Sequence, residues 1–280
     1  MALRAKVPEK KEKRLKLFMY GPPGTLKTRS AIQFPNSYYI DAEHGTDWYA
    51  EEIAAVGSAV LHTTSGDEVI EEVRELAQHP SGYRTIVIDP FTTIYATTVD
   101  SCGQKSNNPD VRSWYGDADR IFRRLFNLLV AVDMNVIVTA HAKDLYSSGA
   151  NSTKIGMTFD GWKRLEYPFD LVIQTSKVGK SCEALVMKTR CPGFALLDKF
   201  PWAYETFVEK IGKIVELEAT AIELGTPEEI TQLKALLSKL TEEQRTSVDQ
   251  MLGPTDIADL PRERVLKGIA VLSRLAELVI

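Results

Sequence analysis

Leu17-Phe18-Met19-Tyr20 runs directly into Gly21-Pro22-Pro23-Gly24-Thr25-Leu26-Lys27-Thr28. The four apolar residues read as a strand buried on both faces. The eight that follow match the Walker A spacing at every position but one. In such a turn, backbone N–H groups cradle phosphate at the start of a helix, the lysine reaches the outer phosphates, and the hydroxyl ligates Mg²⁺. Gly21, Pro22, Pro23, Gly24, Thr25, Leu26, Lys27, Thr28 and Arg29 are therefore the candidate binding residues for ATP, with Thr28 on the metal. The exception is Leu26, where the motif has glycine. If that position needs a left-handed backbone, leucine costs about 1–2 kcal/mol. Micromolar nucleotide binding is worth about 8 kcal/mol, so the site is weakened rather than abolished, and the hydrolysis rate is left open.

Further along, Thr85-Ile86-Val87-Ile88-Asp89 is an apolar strand ending in a carboxylate. That is the Walker B arrangement, in which Asp89 supports the Mg²⁺ shell. Other short apolar runs fall at Tyr38–Ile40, Ala59–Leu61, Asn135–Thr139, Leu171–Gln174 and Ala184–Met187. Helical periodicity lies between them, over Asp47–Val56, Asp67–Gln78 and Trp114–Val132. Doubly apolar strands alternating with helices predict an α/β fold with a mainly parallel sheet. Ser101–Arg112 and Lys143–Phe169 read as loops, the second long enough to suggest function.

Near Thr226 the character changes. Thr226-Pro227-Glu228-Glu229 is a capping box with proline in the first turn, and Thr241-Glu242-Glu243-Gln244 repeats it. Apolar positions Ile230, Leu233, Leu236 and Leu237, then Val248, Met251 and Leu252, then Val265, Leu266, Ile269, Leu272 and Leu275 predict a small helical module. The expected divisions are a basic tail over 1–14, an ATPase core over 15–212 and the helical module over 213–280.

With 280 residues, 44% of them hydrophobic and 26% charged, the chain has the composition of a soluble globular protein. No apolar run approaches the roughly 18 residues of a membrane span, so no membrane partner is expected. Cys102, Cys182 and Cys191 have no metal-type spacing, which points to a reduced cytoplasmic setting. The formal charge is −4, yet residues 1–16 carry seven Lys/Arg against two Glu, and residues 142–200 carry nine against six acids. Local clusters matter more than the total, because salt screens beyond about 8–10 Å. Nucleic acid stays possible.

Ile40-Asp41-Ala42-Glu43-His44, with Asp47 close behind, resembles the string after Walker A in the RecA recombinase family. The resemblance implies a RecA-like core, with Glu43 as the base that orients and activates the attacking water from a strand beside the P-loop. It further implies that the strand Val136–Thr139 leads to a γ-phosphate sensor; the family usually has glutamine there, and this chain has His141. Lys188 and Arg190 resemble a Lys-x-Lys pair that reaches a neighbouring subunit's γ-phosphate. The two loops stand where the family binds DNA. Lys143, Lys154, Phe159, Trp162, Lys163 and Arg164, with Tyr146, then become candidates for backbone neutralisation and base stacking.

Over about residues 15–210 the chain most resembles the Sak-type annealing and recombination ATPases encoded by bacteriophages. That implies an ATP- and Mg²⁺-dependent protein binding single-stranded DNA, self-associating as a filament or ring, with a single-strand-binding protein as a further candidate partner. Two alternatives are a helicase-loader or motor-type P-loop ATPase, which would share the fold, and a DNA-binding protein with a degenerate ATPase. A P-loop kinase would leave the Asp-Ala-Glu-His string unexplained.

Overall fold

The computed structural model describes residues 13–106, 110–148, 152–241, 248, 252 and 256–277. The Thr241–Gln244 signature beyond its first residue, Met251, the Leu275 side chain and most of the basic tail lie outside the described residues. Seven strands form where the sequence has its apolar runs: β1 (Lys16–Gly21), β2 (Ser37–Asp41), β3 (Ala59–His62), β4 (Thr85–Asp89), β5 (Asn135–Tyr146), β7 (Leu171–Val178) and β8 (Ser181–Thr189). Two more, β6 (Lys154–Phe159) and β9 (Lys199–Pro201), have no such run. The sheet order is β3-β2-β4-β5-β1-β7-β8-β9, with β6 pairing β5. From β3 to β7 the pairs are parallel, and β7-β8-β9 close one edge as an antiparallel meander.

Alternation along β1 explains why both sheet faces are covered. Phe18 and Tyr20 pack with Ile40, Ile86, Ile88, Val136 and Val138 under α3 (Gly66–Gln78), α4 (Phe91–Lys105) and α5 (Val111–Ala131). Leu17 and Met19 point the other way and pack with Tyr39, Val87 and Ile137 against α1 (Lys27–Ala31) and α6 (Tyr204–Ile211). A period of two with both residue sets apolar is what a doubly covered strand requires. The expected α/β class holds.

A third, separate cluster gathers Ile230, Leu233, Leu237, Val248, Leu252, Leu260, Val265 and Leu272, from α7 (Pro227–Leu237), α8 (Arg262–Glu277) and the chain between them. The capping box at Thr226 and Glu229 starts α7 as the sequence predicts. Buried Asp259 ties this cluster to the sheet's helices, accepting from Arg124 on α5 and lying 3.7 Å from Arg74 on α3. Among the described residues, no helix is long and apolar enough to cross a membrane.

Both expected loops are mostly regular structure. Residues 101–105 finish α4 and Val111 opens α5, leaving a short connection whose residues 107–109 are outside the description. The α4 sequence is rich in threonine, which crowds the helix backbone and hides the helical signal. Within 143–169, β5 runs on to Tyr146 and turns back as β6, with Ala142 opposite Phe159 and Leu145 opposite Gly156. Along β6, Ile155, Met157 and Phe159 alternate with Lys154, Gly156 and Thr158, a strand period. The loop reading passed over it because the segment has no continuous apolar run and half of its paired residues are exposed.

Candidate active site

β1 ends at Gly21 in mid-sheet, and the turn Pro22–Leu26 delivers the chain into α1. A Cβ at Gly21 would collide with the backbone and side chain of Thr175 on β7, so only glycine lets the turn lie this close to the sheet. Thr25 is buried and fixes the turn from inside: its hydroxyl donates to the Pro22 carbonyl at 2.8 Å and lies 2.7 Å from the Thr175 hydroxyl. Lys27 is also buried, its Nζ donating to the carbonyls of Gly21 at 2.8 Å and Pro22 at 3.0 Å. Burial draws its pKa below the ordinary 10.5, while the charges of Asp89 and Glu43 push the other way. The ammonium therefore sits within electrical reach of both carboxylates.

Leu26 has φ 65° and ψ 19°, the left-handed region. The strain is about 1–2 kcal/mol, against about 0.5–1 kcal/mol for the greater freedom of a glycine in the unfolded chain. Leu26→Gly is accordingly expected to stabilise the protein by about 0.5–1 kcal/mol, raising the melting temperature by about 1–3 °C. A lowered melting temperature would contradict the strain assigned to this residue.

Asp89 ends β4 with its carboxylate buried, accepting from the hydroxyls of Tyr39 and Thr139. The Thr28 side chain stands close enough to the same Tyr39 hydroxyl to draw its raised pKa back down. One tyrosine thus gathers the P-loop hydroxyl and the Walker B carboxylate, two hard oxygen donors of the kind Mg²⁺ takes. The donor set fits that ion.

Glu43 reaches this end of the sheet by a different route from the one the sequence suggests. The strand before it, β2, is not beside β1: β4 and β5 lie between them. Asp41, at the end of β2, builds the turn that carries Glu43. Its carboxylate accepts from the backbone of Glu43, Gly45 and Thr46 and from the Thr46 hydroxyl. Burial pushes the Asp41 carboxyl up, but these four donors outweigh it and hold its pKa below the ordinary 3.8. Glu43 then accepts from the Thr93 hydroxyl on α4, and its Oε2 lies 3.2 Å from Nε2 of His141 on β5. Because β5 separates β1 from β4, it carries His141 in between the phosphate turn and Asp89.

The remaining candidates fall elsewhere. Arg29 turns away from the loop, pairing with Glu52 and lying 5.1 Å over the Tyr49 ring. Lys188 and Arg190 lie at the opposite end of the sheet from Gly21, since Val172 and Leu171 face Lys188 and Thr189 at the level of Phe18 and Leu17. Lys188 donates to the carbonyls of Glu166 at 2.7 Å and Tyr167 at 2.9 Å, and Arg190 pairs with Asp170 at 3.3 Å. Neither meets its own chain's phosphate turn.

Phe159 and Trp162 are corrected. Both are buried, Phe159 edge-on to Phe18 at 5.3 Å and Trp162 stacked on Phe126 at 5.3 Å, with its indole N–H donated to Asp119 at 2.8 Å. Neither ring offers a face to a base. The four basic candidates stay exposed, with Lys143 paired to Asp160 and Lys154 to Asp144. Lys163 and Arg164 border a groove of about 890 Å³ with Arg123, Asn127 and Tyr167.

A family model described as an AAA domain matches residues 13–194. The chain belongs to that family. Among solved structures it is similar to the RadB recombinase (14% identity, covering 68% of this chain and 88% of that one, TM-score 0.40). It is also similar to a DnaB-like replicative helicase (14%, 68% and 56%, 0.42). A third is a prototypical ATPase from the type III secretion system of pathogenic bacteria (14%, 92% and 79%, 0.39). No curated protein matches. The family match and the mostly parallel sheet agree on an α/β core of AAA type.

This AAA domain also uses side chains that sequence reasoning passed over. Tyr39 and Thr139 hold Asp89, and Thr93 holds Glu43. Tyr39 and Thr139 stand two residues before Asp41 and His141, and Thr93 four after Asp89; that closeness to motif residues is the signal that could have found them. Lys177 on β7 is the fourth. Its ammonium hangs over the turn, 2.8 Å from where a Cβ at Gly24 would stand, and no motif marks it.

Proposed function

We propose that this chain hydrolyses ATP and binds single-stranded DNA as a recombination or annealing ATPase of RecA-like type, with nucleotide at the interfaces of an oligomer. The observation that carries the reading is Glu43, held by Thr93 beside His141, at the same end of the sheet as Lys27. Glu43 accepts a hydrogen bond from a water and aims its oxygen at the terminal phosphorus. As the water oxygen bonds to phosphorus, the bond to the ADP oxygen breaks, and the water proton passes to Glu43. Lys27 leaves the carbonyls of Gly21 and Pro22 for the outer phosphates, with Lys177 adding a second positive charge. His141 senses the terminal phosphate by donating from its ring. Thr28 and Asp89 would hold Mg²⁺, which neutralises phosphate charge when bound.

Lys188 and Arg190 serve the nucleotide of a neighbouring subunit in this scheme, which suits their distance from their own P-loop. The DNA surface consists of Lys143, Lys154, Lys163 and Arg164, with exposed Tyr146 at the tip of the β5-β6 hairpin. Fluorescence anisotropy on a labelled single strand tests it. Affinity is expected to fall as salt rises, and Lys163→Ala combined with Arg164→Ala to flatten the log–log slope by about 1.4 if both contact phosphate. Single strands are also expected to stimulate phosphate release. Turnover without DNA binding would instead favour a motor or loader ATPase, and DNA binding without turnover a degenerate one.

A further inference from the structure

Two of the chain's four histidines stand together outside the nucleotide turn. His44 and His62 stack with ring centroids 4.3 Å apart and planes 17° from parallel. Asp47 closes the group: its Oδ1 is 3.7 Å from Nδ1 of His44 and 3.7 Å from Nε2 of His62. One donor atom from each residue can be chosen so that all lie within 4.8 Å of one another. At 3.7 Å these are not hydrogen bonds. They are close to the separation of about 3.3–3.5 Å that tetrahedral geometry sets between ligands whose bonds to zinc are about 2.0–2.2 Å. An imidazole holds its metal in the plane of its ring, so the stacked rings would have to turn out of parallel, as well as draw in, to complete the set.

We infer that His44, Asp47 and His62 bind a divalent transition-metal ion of the zinc class. Two imidazoles and one carboxylate select against Mg²⁺ and Ca²⁺, which take oxygen ligands, and suit zinc, nickel or copper. The site is therefore chemically distinct from Thr28 and Asp89. A second feature sets it apart from a chance surface cluster. Asp41 and His62 are opposite each other on β2 and β3, and the buried Asp41 carboxylate lies 3.7 Å from Nδ1 of His62. That distance too is longer than a hydrogen bond, but closing it would set the Nδ1 proton against Asp41 and leave the Nε2 lone pair toward Asp47, as outer-shell carboxylates do for metal-binding histidines. His44 is brought over by a left-handed backbone, φ 57°, a conformation histidine adopts more readily than most residues.

The ion would fasten the turn after β2 to the end of β3. That turn holds Glu43 at one end, and its Gly45 lies against Thr28, 3.6 Å from the methyl group to a Cβ built on the glycine. Three protein ligands leave at least one position open to water, and the exposure of all three residues leaves an entry path. The inference rests on these side chains alone, so it stands or falls separately from the ATPase reading.

The test is titration of the full chain with Zn²⁺ by calorimetry and with Co²⁺ by absorption, in excess Mg²⁺. One bound ion is expected, with a cobalt spectrum lacking thiolate charge-transfer bands. Outer-shell changes at metal sites weaken binding about 10–100-fold, so removing a ligand by His62→Ala or His44→Gln should weaken it at least about tenfold. His79→Ala, remote on the surface, should leave it unchanged. Absence of binding, full affinity in His62→Ala, or a thiolate band placing the ion on Cys102, Cys182 or Cys191 would overturn the site.

Discussion

Lys27→Ala is expected to lower ATP turnover by at least about a hundredfold, the loss typical of removing one preorganised donor to developing negative charge. The argument is local. Lys27 is a buried ammonium whose only described hydrogen-bond partners are the carbonyls of its own turn, Gly21 and Pro22. Burial already disfavours its charge, as the lowered pKa records. A triphosphate in the turn offers it far more favourable acceptors than two neutral carbonyls. Alanine removes that cation, and the freed carbonyls can turn to water, so the fold should survive; an unchanged melting profile is the control. Steady-state phosphate release reads the effect, and turnover equal to the parent's would refute the nucleotide assignment.

The second large effect belongs to Glu43→Gln. Glutamine has the same shape and can still accept from Thr93, but it cannot take a proton from water. Removing a general base of this kind lowers turnover by about 10²–10⁴-fold. Nucleotide affinity should change little, because the side chain acts on the water and not on the ground-state phosphates. The signature is a fall in kcat with binding preserved, measured by single-turnover hydrolysis beside equilibrium nucleotide binding. Loss of binding with kcat retained would make Glu43 a ligand rather than a base. The two variants therefore separate holding the phosphates from attacking them.

The strands that matter most were legible because burial on both faces leaves a continuous apolar run, as in Thr85–Ile88 and Val136–Thr139. The P-loop was legible because its chemistry fixes residue types at fixed spacing. Chain order, by contrast, does not give strand order. Glu43 follows the first helix closely in sequence, yet β2 pairs with β4 and not with β1, so the carboxylate comes to the site from two strands further across. Trp162 misled for a related reason. Its neighbours Lys163 and Arg164 are exposed and give it the look of a surface aromatic, while the ring that buries it, Phe126, comes from α5. The stacked histidines form for the same reason, since only the parallel pairing of β2 with β3 places His62 opposite Asp41 and near His44.

The most direct measurement is an experimental structure of the chain with Mg²⁺ and a non-hydrolysable ATP analogue. The account predicts Lys27 off the carbonyls of Gly21 and Pro22 and on the terminal phosphate, with Glu43 facing that phosphorus across a single water. Nucleotide bound elsewhere while Lys27 keeps both carbonyls, or Glu43 directed into bulk solvent with the turn filled, would contradict it.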